Sequence, residues 1–316
     1  TGRDCKKGSH GHIGPCDPFL LDIVIGRSPN RAGGNMDIGI AMFVTGTSID
    51  SAVLAENCEK LGFESLWVPE HPVIPAGNKT KWPGSADGVL PDEYYNIIDP
   101  FIALARASMV TTTLKLATGI CLIPERNPLL LAKEIASLDY CSKGRFLFGI
   151  GTGWLKEETE LFGIDFKDRV KYTRESILAM KELWTQEEAE FHGDLIDFPS
   201  VICMPKPIQK PHPPVLIGGM AKNVFRRVVN WGDGWMPNRV TPEDVRLGRG
   251  EIDKLCKERG RDPNSISISV YGQPADAELL KAFEDAGANR VMVRLATASE
   301  EPALESLRGI ASKVLT

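Results

Sequence analysis

The chain has 316 residues, 42% hydrophobic and 25% charged, with a formal net charge of -5; this is enough for a sizeable core, and no basic stripe of the kind a phosphate backbone demands is present. Nucleic acid is therefore not an expected partner, and no apolar run reaches the ~18 residues of a membrane span. The seven cysteines, at 5, 16, 58, 121, 141, 203 and 256, include no C-x-x-C pair and in odd number close no disulfide framework, so they read as reduced thiols in a cytoplasmic protein.

Residues 1–35 hold seven glycines, two cysteines and no sustained periodicity. They are expected to lie outside the core, with Met36 as the natural start and 36–316 as one domain. From Met36 strand and helix patterns alternate. Strands are expected at 37–43, 65–69, 114–122, 145–150, 214–218, 234–237, 266–271 and 290–295, with helices near 50–61, 99–109, 128–141, 168–185, 221–231, 242–259, 276–286 and 302–314. The pattern is clearest over 113–154: an apolar strand, a helix with Asn127 as N-cap, Pro128 in its first turn and Leu131, Ile135 and Leu138 at helical spacing, then a strand ending in glycines. Eight strands alternating with eight helices predict an α/β fold, the (β/α)8 TIM barrel. An open doubly wound sheet is the competitor, but Trp154 stands where the dinucleotide fingerprint begun by Gly149-Ile150-Gly151 requires a third glycine.

Insertions follow strands two and four. Residues 72–98, with Lys79, Lys81, Trp82, Tyr94 and Tyr95, have the length of a lid. Residues 190–213 hold a hairpin pattern over 190–198 and then a proline-rich, stiff connector. Substrate specificity is expected in these two segments.

Barrel enzymes place their chemistry at the C-terminal ends of the strands. Strand two ends Trp67-Val68-Pro69-Glu70-His71, a carboxylate beside an imidazole that can exchange a proton near neutral pH, although a surface turn before Pro72 would use the same residues. Thr118-Gly119 and Gly151-Thr152-Gly153 put polar residues and glycines where strands buried on both faces rarely need them, marking a ligand face. Strand five runs through Gly218-Gly219-Met220 into a helix whose N-terminus favours a phosphate, though any tight turn uses glycine. Strand six supplies Gly232-Asp233-Gly234-Trp235, followed by Asn238 and Arg239. Trp67, Trp154 and Trp235 all fall near strand ends, which suits an apolar wall for a planar cofactor; Trp235 could equally be core and Asp233 a cap. No Ser-His-Asp order, H-E-x-x-H or P-loop is present, and no metal is expected.

In their order and spacing these motifs, together with Arg126-Asn127-Pro128, Gly144-Arg145-Phe146 and the segment 214–219, resemble the bacterial luciferase-like superfamily. Within it the chain is most similar to the deazaflavin (coenzyme F420)-dependent oxidoreductases; FMN-dependent monooxygenases form the sister branch. The resemblance implies transfer of a hydride between F420 and a small organic substrate. Insertion of one oxygen atom with FMN, and flavin binding without turnover, are the alternatives. It also implies a cis peptide where Thr118-Gly119-Ile120 ends strand three against the cofactor ring. Glu70 and His71 would contact cofactor and reacting centre, His71 handling the proton and Glu70 orienting the histidine or the cofactor. Gly218, Gly219 and Met220 would offer N–H groups to the cofactor phosphate, Gly151-Thr152-Gly153 would line the floor, and the chain would form a homodimer. Trp154 stands where sugar-phosphate dehydrogenase relatives carry a catalytic glutamate, and Thr241 where they carry a phosphate-binding lysine, which argues against a phosphosugar. Arg239 could hold an acidic substrate.

Overall fold

Apolar runs closed by capping residues and glycines become alternating strands and helices in the computed structural model, which describes residues 36–315; the segment 1–35, expected to be non-core, lies outside the described residues. In chain order the elements are β1 (Asp37–Ala41), α1 (Ser51–Leu61), β2 (Ser65–Val68), α2 (Pro100–Val110), β3 (Lys115–Thr118), β4 (Cys121–Leu122), α3 (Pro128–Cys141), β5 (Phe146–Gly151), α4 (Lys156–Leu161) and α5 (Arg169–Thr185). They continue with β6 (Ala189–His192), β7 (Asp197–Val201), β8 (Val215–Gly218), α6 (Val224–Trp231), β9 (Gly234–Met236), α7 (Pro242–Glu258), β10 (Ser267–Gln273), α8 (Ala277–Asp285), β11 (Arg290–Arg294) and α9 (Glu300–Val314). Side chains start many of the helices: Asp50 accepts from Ala52 N, Asp99 from Phe101 N and Ile102 N, Asn127 from Leu129 N and Leu130 N, and Thr241 forms a capping box with Asp244.

The main sheet is parallel throughout, in the order β3-β2-β1-β11-β10-β9-β8-β5, and closes on itself where Leu116 and Ala117 of β3 face Phe146 and Leu147 of β5. This is the (β/α)8 barrel that the alternation implied. Its third strand differs from the continuous run expected over 114–122. The Gly119-Ile120 peptide is cis, and the strand resumes as β4, with Cys121 opposite Ile150 of β5.

Each barrel strand buries both faces. Ala41, Trp67, Ala117, Leu147, Leu216, Met236 and Met292 fill the lumen, with Ile120 and Tyr271 packed on that plug. The opposite face, including Ile40, Leu66, Leu116, Phe146, Phe148, Val215 and Trp235, meets the helices. Under the plug, at the strands' N-terminal ends, Arg290 donates to both oxygens of Glu64 (2.8 and 2.6 Å), to Asp37 Oδ2 (3.2 Å) and to Ser269 Oγ (3.2 Å), while Lys115 Nζ lies 2.8 Å from Glu64. Burial works to raise the Glu64 carboxyl, but Arg290 and Lys115 outweigh it and hold it down to about 2.

The segment 72–98 lies over the C-terminal ends of the strands, as its length suggested. It is fastened at several points: Gly46 N and Ile98 N join it to the β1–α1 loop, Lys79 N and Thr80 N donate to Glu157 of α4, and Glu93 meets Arg294 at the end of β11. The segment 190–213 behaves differently from the expectation. Its antiparallel hairpin, β6–β7, runs to Val201, and the whole segment leads from the end of α5 back to the start of β8. It packs along α5 through Glu175, which accepts from Leu195 N and Ile196 N, and through Lys206, which donates to Leu183 O at 2.9 Å. A helix-to-strand connection reaches the N-terminal end of a barrel, so this segment builds the outer wall instead of the mouth. Among the described residues no helix is long and apolar enough to cross a membrane.

Candidate active site

The chain leaves β2 through Pro69, and the next two residues part company. His71 turns into the mouth, its side chain 5% exposed. Its Nδ1 lies 2.6 Å from Glu158 Oε2, and its Nε2 accepts from the Trp154 indole N–H at 3.1 Å. An indole nitrogen only donates, so Nε2 carries the lone pair and Nδ1 carries the proton given to Glu158. Glu158 comes from the short helix α4; its side chain is 1% exposed, and its second oxygen accepts from Val73 N at 3.3 Å. A carboxylate, an imidazole of fixed tautomer and an indole thus form one hydrogen-bonded line.

Glu70 does not join that line. Its carboxylate receives Leu122 N at 2.7 Å and the Arg126 guanidinium through Nε at 2.7 Å and a second, shorter contact through Nη2. Arg126 also reaches Asp99 and, at 3.2 Å, Glu134. Burial opposes the Arg126 charge, but Glu70 outweighs it. Glu70 therefore holds β4, just past the cis peptide, against β2. The carboxylate that orients His71 is Glu158, where sequence reasoning named Glu70.

Behind them lies Glu125, 3% exposed, accepting from Thr159 Oγ1 at 2.7 Å while its Oε2 has no partner among the described residues. Burial, reinforced by the nearby Glu158 and Glu70 against the pull of Thr159, pushes it up to about 8. Glu125 and Glu158 carried no usable signal in the sequence. Glu157-Glu158 opens a helix, where acids are ordinary for dipole reasons.

The floor is built by residues that lack side chains and one that has a large one. A Cβ on Gly151 would meet Ile120 Cδ1 at 2.0 Å, and one on Gly218 would meet Ile150 O at 2.8 Å and Ile120 Cγ2 at 3.4 Å, so the Ile120 side chain lies across both glycines. A Cβ on Gly119 would meet Tyr271 Cε2 at 2.5 Å, which explains glycine there. Thr118 is fully buried and spends its hydroxyl on Gly149 O at 2.7 Å, so it belongs to the wall. Thr152 follows Gly151 at the rim, and Gly153 turns the chain with φ +71 against Glu125 and Thr159.

At strand five the Gly219 N–H bonds Met236 O at 3.2 Å and is not free for a ligand. Among the described residues, however, nothing accepts from the N–H groups of Met220, Ala221, Lys222 and Asn223, which lead into α6. The donor cluster starts one residue later than the glycine motif suggested. Met220 itself is 47% exposed.

Of the three tryptophans only Trp154 reaches the mouth. Trp67 points into the lumen, donating to Ser65 Oγ at 2.7 Å, and Trp235 points to the helices, donating to Gly219 O at 2.9 Å and packing edge-on to Phe225; both are 0% exposed. Strand alternation sends these residues to opposite faces below the rim, a detail that nearness to a strand end does not reveal. The aromatic wall comes instead from the lid: Tyr94 lies 5.3 Å from His71, 4.9 Å from Phe43 and 5.8 Å from Trp82. Arg239 donates to Pro83 O at 2.6 Å and sits 5.5 Å from the Trp82 ring, so it clamps the lid, while the exposed Asn238 bridges to Tyr271.

With this arrangement in view, comparison with known proteins is informative. The sequence profile of the luciferase-like monooxygenases matches residues 41–298. The chain belongs to that family. Among its relatives, an uncharacterized protein of Mycobacterium tuberculosis is 35% identical over 288 residues, covering 88% of this chain and 99% of the other. Solved structures share the fold: a monooxygenase of Streptomyces bottropensis has a TM-score of 0.71 at 20% identity, and the coenzyme F420-dependent tetrahydromethanopterin reductase of Methanopyrus kandleri one of 0.68 at 16%. Each covers 89% of this chain and 99% of its own. The family places the chain among flavin- and deazaflavin-dependent oxidoreductases and monooxygenases.

Proposed function

We propose that this member of the family is an oxidoreductase that moves a hydride between coenzyme F420 and a small organic substrate whose oxidation also releases a proton, an alcohol and its carbonyl being the simplest pair. The observation that carries the reading is His71, buried, fixed in one tautomer by Glu158 and Trp154, and standing at the end of the strand beside the β3–β4 break. The residues present fit a flavin-type ring and phosphate. Ile120 laid across Gly151 and Gly218 offers a flat apolar floor, and the four N–H groups from Met220 to Asn223, ahead of α6, suit a phosphate.

When bound, the deazaflavin supplies a two-electron hydride acceptor or donor. The chain supplies the rest. A substrate hydroxyl arriving at His71 Nε2 replaces the Trp154 N–H as its partner. Nε2 takes the hydroxyl proton as the carbon–hydrogen electron pair leaves as hydride, and Glu158 stabilises the imidazolium that forms. In the reverse direction the same nitrogen returns the proton to the carbonyl oxygen. Glu70 acts through Arg126 and Leu122 by keeping the β4 segment, and with it Ile120, in place. The lid aromatics Tyr94 and Trp82 exclude water.

Oxygen insertion with FMN is the second reading, favoured by the likeness to a monooxygenase fold. Parallel titrations of the purified chain with F420 and FMN, followed by fluorescence quenching, decide between them. Tighter F420 binding with substrate-driven reduction supports hydride transfer. Tighter FMN binding with oxygen-dependent turnover replaces it, and a bound chromophore that no substrate reduces leaves a binding protein. We also propose a homodimer through the outer face of α2 and α3, where Ile102, Met109, Leu130 and Tyr140 are 60%, 81%, 60% and 58% exposed. Sedimentation of Ile102→Asp/Leu130→Asp should then show a monomer.

A further inference from the structure

Away from the mouth, α5 and α6 are separated by an open groove of about 520 Å³. Lys167, Lys171 and Arg174 line it from the α5 side, and Asn223, Arg226 and Arg227 from the α6 side. In the sequence these cations are two short groups more than fifty positions apart; the fold brings them together in a chain whose net charge is -5. Lys167 meets Asp165 at 2.8 Å and Lys171 meets Asp194. Among the described residues no carboxylate lies within ion-pair distance of Arg174, Arg226 or Arg227. Arg169 adds to the excess. Its guanidinium stacks 3.8 Å over Phe166, and its buried Nε has no hydrogen-bond partner among the described residues. Burial and then the nearby Arg169 charge make the Arg227 cation less favourable than usual. Cations gathered along one groove with no acid paired to them favour a bound anion.

The position of the groove suggests which anion. Its head, at Asn223, is the end of the turn whose four N–H groups, without an acceptor among the described residues, suit the cofactor phosphate. From Asn223 to Asn230 it follows α6 for roughly 10 Å. A chain of negative groups continuing past that phosphate would enter the groove directly. FMN ends at its phosphate, whereas F420 continues into a tail of linked carboxylates. Resting on the F420 reading above, we infer that the α5–α6 groove binds the oligocarboxylate tail of the cofactor, with Arg174, Arg226 and Arg227 as its anion contacts.

The test compares F420 carrying several glutamates with the form carrying none, by fluorescence quenching on the full chain. The tailed form should bind about tenfold tighter, a margin that shrinks as salt is added. The variant Arg226→Gln/Arg227→Gln, checked for an unchanged melting temperature, should abolish the margin and leave the tail-free Kd as it was. Equal Kd values for the two forms in the unaltered chain would overturn the groove and leave the cofactor reading standing. If neither form binds, the cofactor reading fails and a γ-linked tetraglutamate titrated by calorimetry decides the groove. Heat that the double variant loses keeps it as an oligocarboxylate site, and no heat overturns it.

Discussion

At the N-terminal end of the barrel the charges answer one another: Arg290 is surrounded by Glu64, Asp37 and Ser269, and Glu64 by Arg290 and Lys115. At the C-terminal end the accounting is left open. Among the described residues Glu125 has an oxygen without a partner, and His71 Nε2 is occupied by nothing stronger than an indole N–H. Both ends are walled by the same strands, so the difference lies in the side chains that each end receives. Saturated ion pairs hold strands in register and resist any new partner. Unsaturated groups of adjustable charge cost stability and leave room for a substrate. The Arg126 cluster, with Glu70, Asp99 and Glu134, brings the closed pattern to the upper end, and it serves the strand break.

The sharpest test of this contrast is to alter one residue at each end. His71→Ala should lower kcat by ~10²–10⁴ while leaving cofactor affinity nearly intact. Glu158→Gln should cost less and displace the limb of the pH–rate profile that reports the imidazole. An unchanged kcat in His71→Ala would move proton handling elsewhere, Tyr94 being the nearest candidate. At the other end, Arg290→Met should cost about 3 kcal/mol in denaturant unfolding, because Glu64 loses its buried guanidinium and keeps only Lys115 as a partner, with no change in cofactor Kd for the folded protein. The sign of the pH effect follows from Glu64 being held down to about 2 against an ordinary 4.5. Its stabilisation is present above the ordinary value and is lost as pH falls toward 2, a dependence that Arg290→Met should weaken, Lys115 being the remaining partner.

Glu125 should behave in the opposite sense. Raised from 4.5 to about 8, it favours the folded state at low pH, and that contribution is lost as pH rises through this window. Glu125→Gln, a mimic of the protonated acid, should therefore match the unaltered protein near pH 4 and exceed it by about 1–3 kcal/mol above pH 8. A difference that stays flat across pH would mean the carboxylate is not isolated. The smallest effect belongs to the lid clamp. Arg239→Ala removes a contact to Pro83 and Trp82 and should speed cofactor release by ~2–5-fold in stopped-flow measurements, with no change in melting temperature.

The barrel was legible because period-2 and period-3.6 patterns alternate with clear caps such as Asn127 and Asp99, and burial on both faces makes the strands uniformly apolar. The break in the third strand was legible only through the resemblance, since 114–122 reads locally as one strand. Glycines at the floor were legible as an excess over what packing needs. The partners of His71 and Glu70 were not. Their selection depends on which way each side chain leaves the end of β2, and the deciding residues, Glu158 and Arg126, lie eighty-seven and fifty-six positions away from His71 and Glu70. Trp67 and Trp235 misled for the same reason: distance from a strand end is visible in sequence, whereas the face is fixed by a register that closes only in three dimensions.

The hydrogen bond from Trp154 to His71 also makes the site its own optical indicator. An imidazolium has no lone pair at Nε2, so each protonation of His71 must release the Trp154 indole and place a positive charge beside it. Trp67, Trp184 and Trp235 give their N–H groups to Ser65, Ala132 and Gly219, acceptors that do not titrate. A pH-dependent change in tryptophan emission that disappears in Trp154→Phe would thus follow the proton on the proposed catalytic base in the resting protein, before any cofactor or substrate is added.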